Sequence, residues 1–178
     1  MSNAPRPAAA RSSPANLQIV PIGRVHLAGF HAAVDSVAKE RRYLAMLEAP
    51  SFTRTRRLVL DSLRAGAVHV VAVAGDEVVG WCDLRPKAAP TLRHSAVLGM
   101  GVVAVYRGQG IGNRMLAPTL ELAWARGIRR AELNVRSDNT AAIALYRRFG
   151  FVEEGACRNY VCIDGVDYDA LLMARLAP

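Results

Sequence analysis

Three glycines stand at alternate positions near the middle of the chain: Gly108, Gly110 and Gly112. They follow an apolar run that begins at Val97 and is typical of a buried strand. Residues 113–126 then carry apolar side chains at helical spacing, which predicts a strand, a glycine turn and a helix. Backbone N–H groups in such a turn, with the positive end of a helix dipole behind them, can bind phosphate.

Two familiar phosphate-binding motifs do not fit this turn. A nucleotide P-loop ends in Lys followed by Ser or Thr, whereas Gly112 is followed by Asn113 and Arg114. The dinucleotide fingerprint needs two residues between its last two glycines, and only Ile111 stands there. On spacing alone, a turn that merely connects two elements also stays open.

Two ordered segments resemble signatures of the GNAT acetyltransferases, as found in bacterial members of that superfamily. Residues 107–112 match the coenzyme A pyrophosphate loop, which reads Arg or Gln, two residues, Gly, one residue, then Gly or Ala. Residues 139–151 look like the family's Asn-x-x-Ala-x-x-Leu-Tyr-x-x-x-Gly-Phe segment. The resemblance covers about residues 68–176 and is loose before them.

The resemblance implies an α/β fold of the GNAT acyl-CoA N-acyltransferase type. Its mixed, mostly antiparallel sheet of about seven strands is flanked by about four helices and splayed at the cofactor slot. It also implies transfer of an acetyl group from acetyl-CoA to a primary amine by direct attack in a ternary complex. A non-catalytic acyl-CoA-binding module is the alternative from another functional class.

The same resemblance assigns a set of residues to acetyl-CoA. These predicted cofactor-binding residues are Met100, Gly101, Val102, Arg107, Gly108, Gln109, Gly110, Ile111, Gly112, Asn113, Asn139 and Tyr146. Gly101 in mid-strand is costly unless another backbone comes close, as a cofactor arm would. The Val102 amide would stabilise the oxyanion formed from the thioester.

Tyr146 matches the family position that protonates the departing thiolate, so it is the predicted catalytic residue. By helical spacing alone it would be a core tyrosine. Asn139 matches a cofactor-contacting asparagine and also suits the N-cap of the following helix. Both roles of Asn139 are compatible.

The expected general base is missing. The two places where family members often carry a glutamate hold Ala96 and Asn134, and neither can take a proton. An α-amine loses its proton about 2.5 pKa units more easily than a lysine side chain, which is worth roughly 3.5 kcal/mol. The missing base therefore favours a weakly basic amine, with His94 and Glu132 as candidates for deprotonation through water.

No motif in the sequence identifies the acceptor. We expect a small-molecule or peptide amine, and a protein N-terminal or lysine acetyltransferase is the alternative. In the resembled family the first helices and their loop form the acceptor side. The candidate contacts there are Tyr43, Met46, Leu47 and Phe52, for which ordinary packing is an equally good explanation.

Composition predicts one domain, residues 17–178, after a flexible Ala-, Pro- and Ser-rich tail, residues 1–16. The net charge of +8 comes from scattered arginines, and aromatic residues make up only 6%, which disfavours nucleic acid and suits an anionic cofactor.

No apolar stretch predicts a membrane span, and no residue spacing predicts a metal. Three cysteines, interpreted as packing residues, indicate the cytoplasm. The resemblance also allows a homodimer.

Local signals predict several element boundaries. Thr53 is the expected N-cap of a helix that stops at Gly66. The dipeptide Asp164-Gly165 predicts a hairpin between the last two strands. Pro118 should remove a hydrogen bond from the helix after the glycine turn and kink it.

Overall fold

The computed structural model describes residues 16–178, so the predicted tail lies outside that part of the chain except for Asn16. Seven strands form one mixed sheet, and four α-helices pack on its faces. The strands are β1 (Leu17–Pro21), β2 (Val68–Ala74), β3 (Glu77–Pro86), β4 (Ser95–Val102), β5 (Arg130–Arg136), β6 (Val152–Ile163) and β7 (Val166–Leu176). The helices are α1 (Leu27–Lys39), α2 (Phe52–Arg64), α3 (Ile111–Ala125) and α4 (Thr140–Arg148). The predicted fold class is confirmed.

The strand order is β1-β2-β3-β4-β5-β7-β6, and all neighbours are antiparallel except β4 and β5. That parallel pair is short, because its register runs only from Ser95 and Arg130 to Val97 and Glu132. Both strands continue beyond this point without pairing to each other. The predicted splay of the sheet is therefore present between the second half of β4 and the second half of β5.

Each face of the sheet has its own core. The larger core lies under α3 and α4, where Met115 and Leu116 are fully buried against Cys82 and Leu84 of β3. The smaller core lies under α1 and α2 and includes Trp81 of β3. Because successive side chains of a strand point to opposite faces, neighbouring residues of β3 serve different cores.

The element ends agree with the local sequence signals, except at the start of α2. Ser51, not Thr53, is the N-cap of α2, because its hydroxyl accepts the Arg54 N–H at 3.4 Å. The predicted stop after α2 is confirmed, since Gly66 has a φ of +91°. Asp164 and Gly165 both have positive φ and join β6 to β7, so the predicted hairpin is confirmed.

Pro118 is accommodated inside α3, which continues to Ala125. Its ring nitrogen cannot donate to the Arg114 carbonyl, so one helical hydrogen bond is lost as predicted. At the next residue, the Thr119 hydroxyl donates to the Met115 carbonyl at 2.8 Å. Pro118 does not line the slot described below.

The cysteines and helices bear on two predictions from composition. All three cysteines are free, and Cys82 is buried in the larger core. Cys162 is exposed, so its interpretation as a packing residue was wrong. No helix within residues 16–178 combines the length and the apolar character needed to cross a membrane.

Gly101 is required by a neighbouring side chain. A Cβ at this position would lie 2.3 Å from Cη2 of Trp81, its cross-strand partner on β3. The indole ring lies over Gly101 and contacts Phe30 of α1 edge-on, at 5.8 Å between ring centroids. Packing against Trp81 is thus sufficient to require a glycine here, and the predicted approach of a cofactor arm stays a prediction.

We expect Gly101→Ala to lower the free energy of unfolding by about 1 to 3 kcal/mol, because the indole ring must move. Chemical denaturation followed by Trp fluorescence measures this loss. Gly155→Ala is the matched control, since nothing lies within 4 Å of its Cβ position on an exposed strand. The loss should shrink in a Trp81→Leu background, and an undiminished loss there would exclude the indole as its cause.

Candidate active site

A cavity of about 820 Å³ opens where β4 and β5 separate. We call it the slot. It is bordered by residues 97–102 of β4, the glycine turn, residues 133–136 of β5, α4 and the loop after α1. Residues from both faces of the sheet therefore meet in one cavity.

The backbone of β4 presents groups without a strand partner to the slot. Val103 N–H donates to the Val79 carbonyl and Lys87 N–H to the Ser95 carbonyl, both at 2.9 Å. In an antiparallel pair, hydrogen-bonded and non-hydrogen-bonded positions alternate. Met100 and Val102 are thus non-hydrogen-bonded positions whose N–H and C=O groups point away from β3. Because β5 has already diverged, these groups face the slot.

The glycine turn has the conformation that its sequence requires. Gly108 and Gly110 have φ values of +74° and +75°, a region that residues with a Cβ rarely adopt. Gly110 is the N-cap of α3, which begins at Ile111, two residues before the predicted start. The first N–H groups of α3 lack intrahelical acceptors. They lie at the edge of the slot, as an anion-binding turn needs.

Gly112 serves a different purpose, because it lies in the first turn of α3 with ordinary φ. A Cβ there would lie 3.0 Å from Leu145 Cδ2 of α4. The absent side chain thus lets the start of α3 approach α4 closely. This approach brings the glycine turn and Tyr146 to the same cavity.

Arg107 joins three parts of the slot wall. Its Nε donates to the Val102 carbonyl at 2.8 Å, and its two terminal nitrogens donate to the Glu40 carboxylate at 2.7 and 2.6 Å. Glu40 directly follows α1. The guanidinium therefore holds the end of β4 and the end of α1 together, and its charge is already balanced within the protein.

Tyr146 and Asn139 lie on the α4 side of the slot. Tyr146 is 7% exposed, packs against Phe151 and lines the cavity, and burial raises the pKa of its phenol. The hydroxyl is consequently protonated at neutral pH. Asn139 is the N-cap of α4, with its Oδ1 accepting the Ala142 N–H at 3.2 Å, so the capping role is confirmed.

The structure brings the predicted cofactor-binding residues together around the slot, with one exception. Gln109 does not line the cavity, and its side-chain amide donates to the Val105 carbonyl at 3.1 Å within the turn. Among the residues that the structure describes, no group of three or more His, Cys, Asp or Glu side chains is placed to share a metal ion.

The family model for the acetyltransferase (GNAT) family matches residues 32–151, more than half of the chain. The chain belongs to the GNAT family. It is 31% identical over 115 residues to the L-amino acid N-acetyltransferase AaaT of Escherichia coli, covering 64% of this chain and 70% of AaaT. It is 39% identical over 100 residues to the N-alpha-acetyltransferase RimI of Mycobacterium tuberculosis, covering 56% of this chain and 61% of RimI.

Among solved structures, the chain is similar to yncA from Salmonella typhimurium, which was determined with its cofactor acetyl-CoA. The TM-score is 0.84 with 15% identity, over 90% of this chain and 93% of the other, so this likeness concerns the fold. Family membership and the curated relatives make this protein an acetyl-CoA-dependent N-acetyltransferase that acts on amines.

The structure changes the search for a base in this GNAT enzyme. Ala96 is fully buried in the larger core, so its place could not carry a carboxylate into the slot. Asn134 is exposed and lines the slot. His94 and Glu132 do not line it. Burial alone would raise the pKa of Glu132, but hydrogen bonds from Lys87 and Arg130 lower it, which makes Glu132 a poor proton acceptor.

Of the predicted acceptor contacts, only Tyr43 lines the slot. The others are 40% to 45% exposed, and Phe52 packs edge-on against His31. Arg136 lines the slot beside Tyr43 and is buried, and all three of its guanidinium nitrogens donate hydrogen bonds within the protein. Its guanidinium pairs with Asp138 at 2.6 Å, donates to the Arg42 carbonyl at 2.5 Å and lies 3.4 Å from the ring centroid of Tyr168.

Sequence reasoning missed Arg136 and Glu40. Glu40 stands 67 positions before Arg107, and no local pattern marks the pair. Arg136 has a readable signal, since an arginine at the end of an alternating strand, two residues before Asp138, is typical of a local ion pair. Its stacking on Tyr168 has no such signal.

We expect Gly110→Val to raise the acetyl-CoA dissociation constant about tenfold or more, because a branched side chain enters the anion-binding turn. Isothermal titration calorimetry measures the change. Gly127→Val is the matched control: its φ is +84°, nothing lies within 4 Å of its Cβ position, and it lies outside the slot. Both variants should lose stability, but only the first should lose affinity. Equal affinities would contradict the role of the turn.

Proposed function

We propose that this chain acetylates the α-amine of a small molecule, such as a free amino acid, or of a short peptide, by direct attack on acetyl-CoA. The observation that carries the proposal is the open edge of β4, where the backbone groups of Met100 and Val102 face the slot. An extended, amide-containing arm of coenzyme A can pair with this edge as a missing strand would.

The two ends of the slot suit the two ends of that cofactor. The pyrophosphate would bind at Gly108, Gly110 and the first N–H groups of α3, where positive φ values leave the amides open. The acetyl group would lie near Gly101 and Val102. The solved relative yncA, with the same fold and acetyl-CoA bound, supports this cofactor.

Two groups of this chain would then act on the reacting atoms. The Val102 N–H would donate to the carbonyl oxygen as negative charge develops on it. The Tyr146 hydroxyl, held protonated by burial, would give its proton to the departing sulfur. The acceptor would enter from the opposite face, between α1 and the loop that carries Tyr43.

The acceptor class follows from basicity and from the relatives. No Asp, Glu or His side chain is among the described residues that line the slot, which favours an amine of low basicity, since a weak or more distant base suffices for it. The α-amine of a peptide N-terminus meets this need better than a lysine side chain, by roughly 3.5 kcal/mol. AaaT is named for L-amino acids and RimI for α-amines, which supports the same class.

We further propose a cytoplasmic location, on the free cysteines alone.

A panel of amines with acetyl-CoA, followed by thiol release, tests this proposal. We expect kcat/KM for free L-amino acids and peptides with a free N-terminus to exceed that for Nα-acetyl-lysine by tenfold or more. A preference for the lysine side chain would contradict the proposed acceptor. Tight acetyl-CoA binding without transfer to any amine would indicate a binding module instead.

Tyr146→Phe should lower kcat by about 10² or more and leave the acetyl-CoA dissociation constant within a few-fold. The substitution keeps the ring against Phe151 and removes only the proton. Steady-state kinetics, calorimetry and a melting curve separate the two roles of this residue. A variant that melts lower but turns over normally would make Tyr146 a structural tyrosine.

A further inference from the structure

Asp83 is a buried acid on the sheet face that α1 and α2 cover. Its Oδ2 lies 2.8 Å from Arg85 Nε, and its side chain is 10% exposed. Its partner on β4 is Gly99, which lines the slot. A Cβ at Gly99 would lie 2.7 Å from Asp83 Oδ1. The carboxylate therefore occupies the space of the absent side chain, directly against the strand that borders the slot.

His69 stands beside this acid on β2. The two residues are cross-strand partners, and the Asp83 backbone bonds toward β4, so they form a non-hydrogen-bonded pair. Side chains are closest at such pairs, with Cα atoms about 4.5 Å apart. His69 is 8% exposed, Phe30 packs edge-on against its ring, and its Nε2 is buried without a hydrogen-bond partner among the described residues. Two unused titratable groups thus lie together.

An ion pair with Arg85 does not by itself explain this burial. The Arg85 side chain is 56% exposed, so the same pair could form at the surface at little cost. Removing a carboxylate from water is expensive, and buried acids beside a cleft are enriched at functional sites. No other acid of the described residues combines burial with contact to the slot-lining backbone of β4.

We propose that Asp83 is the base that takes the proton from the acceptor ammonium, directly or across one water molecule. This inference rests on the proposed acetyl transfer. Gly99 precedes Gly101 by two residues, about 7 Å along the strand. Asp83 does not itself line the slot, and its carboxylate would reach the acceptor across the space that the missing Gly99 side chain leaves beside the slot. Sequence reasoning placed the base elsewhere and missed an acid within the apolar strand β3.

The proton balance is complete with groups of this chain. One proton leaves the ammonium for Asp83, and the nitrogen lone pair forms the C–N bond as the C–S bond breaks. The nitrogen then loses a second proton, which returns to the Tyr146 oxygen in place of the proton given to the sulfur. Asp83 finally releases its proton to solvent beside the exposed Arg85. The products are the amide, the free thiol and one proton.

The surroundings suit a base for a weakly basic amine. Burial raises the pKa of Asp83 to about 6, and the charge of Arg85 limits this rise. Burial and Arg85 lower the pKa of His69 to about 4, so His69 is neutral at pH 7. The core residues of α1 and α2 on this face include Phe30, Val34, Val37 and Val59, and the charged pair of Glu132 and Lys87 lies further along the same face. Asp83 is thus mostly ionised at pH 7 and ready to accept a proton.

The test is kcat/KM for a short peptide acceptor with a free N-terminus between pH 5 and 9, for the wild type and Asp83→Asn. We expect the variant to lose about 10²-fold at pH 7 and to keep its acetyl-CoA affinity. The loss should shrink as the pH rises through the pKa of the α-amine near 7.8, because the acceptor then arrives deprotonated. Glu132→Gln, a carboxylate of the same face held by two cations, is the matched control and should stay within twofold.

Arg85→Gln tests the same base without changing it. Removing the positive charge should move the acid limb of the profile to higher pH while transfer continues. If Asp83 only partners Arg85, both variants will lower the melting temperature alike and leave the pH profile unchanged, which overturns the proposal. A wild type that transfers acetyl while Asp83→Asn matches it overturns this inference alone. A wild type that acetylates no amine overturns the proposed function with it.

Discussion

The shortness of the parallel pairing between β4 and β5 is the constraint on which the rest of the structure depends. After Val97 and Glu132 the two strands separate, so the backbone N–H groups of Met100 and Val102 have no strand partner among the described residues on that side, while the Val102 carbonyl accepts from Arg107. Both residues are partly exposed, so water can reach these groups. The divergence therefore creates an open strand edge along the slot.

Several contacts hold the slot open at its ends. Gly112 lets α3 approach α4 at Leu145, which fixes one wall. Arg107 joins the Val102 carbonyl to Glu40 after α1. At the other end, Arg136 ties β5 to the loop after α1. These contacts link elements that are far apart in the chain, so the slot is a property of the assembled domain.

The two faces of the splayed sheet differ in their electrostatics. The face under α3 and α4 is apolar around Tyr146 and keeps its phenol protonated. The face under α1 and α2 buries Asp83 and His69 close to the slot. Tyr146 and Asp83, the proposed proton donor and acceptor, thus lie on opposite sides of one strand, β4. This separation matches a reaction in which the thiol leaves on one side and the amine enters on the other.

The sequence by itself determined the features that depend on neighbouring residues. Glycines 108 and 110, Gly66 and the Asp164-Gly165 turn adopt positive φ because glycine, and to a lesser degree aspartate, tolerates that region. Asn139 caps α4 because its side chain reaches an amide three residues on. The ordered family segments identified the fold and the cofactor.

Only the tertiary structure decided which side chains meet across strands. Gly101 accommodates Trp81, Ala96 faces the larger core, and Asp83 lies against Gly99, and each outcome depends on the register between β3 and β4. The pair of Arg107 and Glu40 spans 67 positions. Local preferences act over a few residues, whereas register is set by the burial of whole strand faces. A shift of one residue would send each of these side chains to the other face.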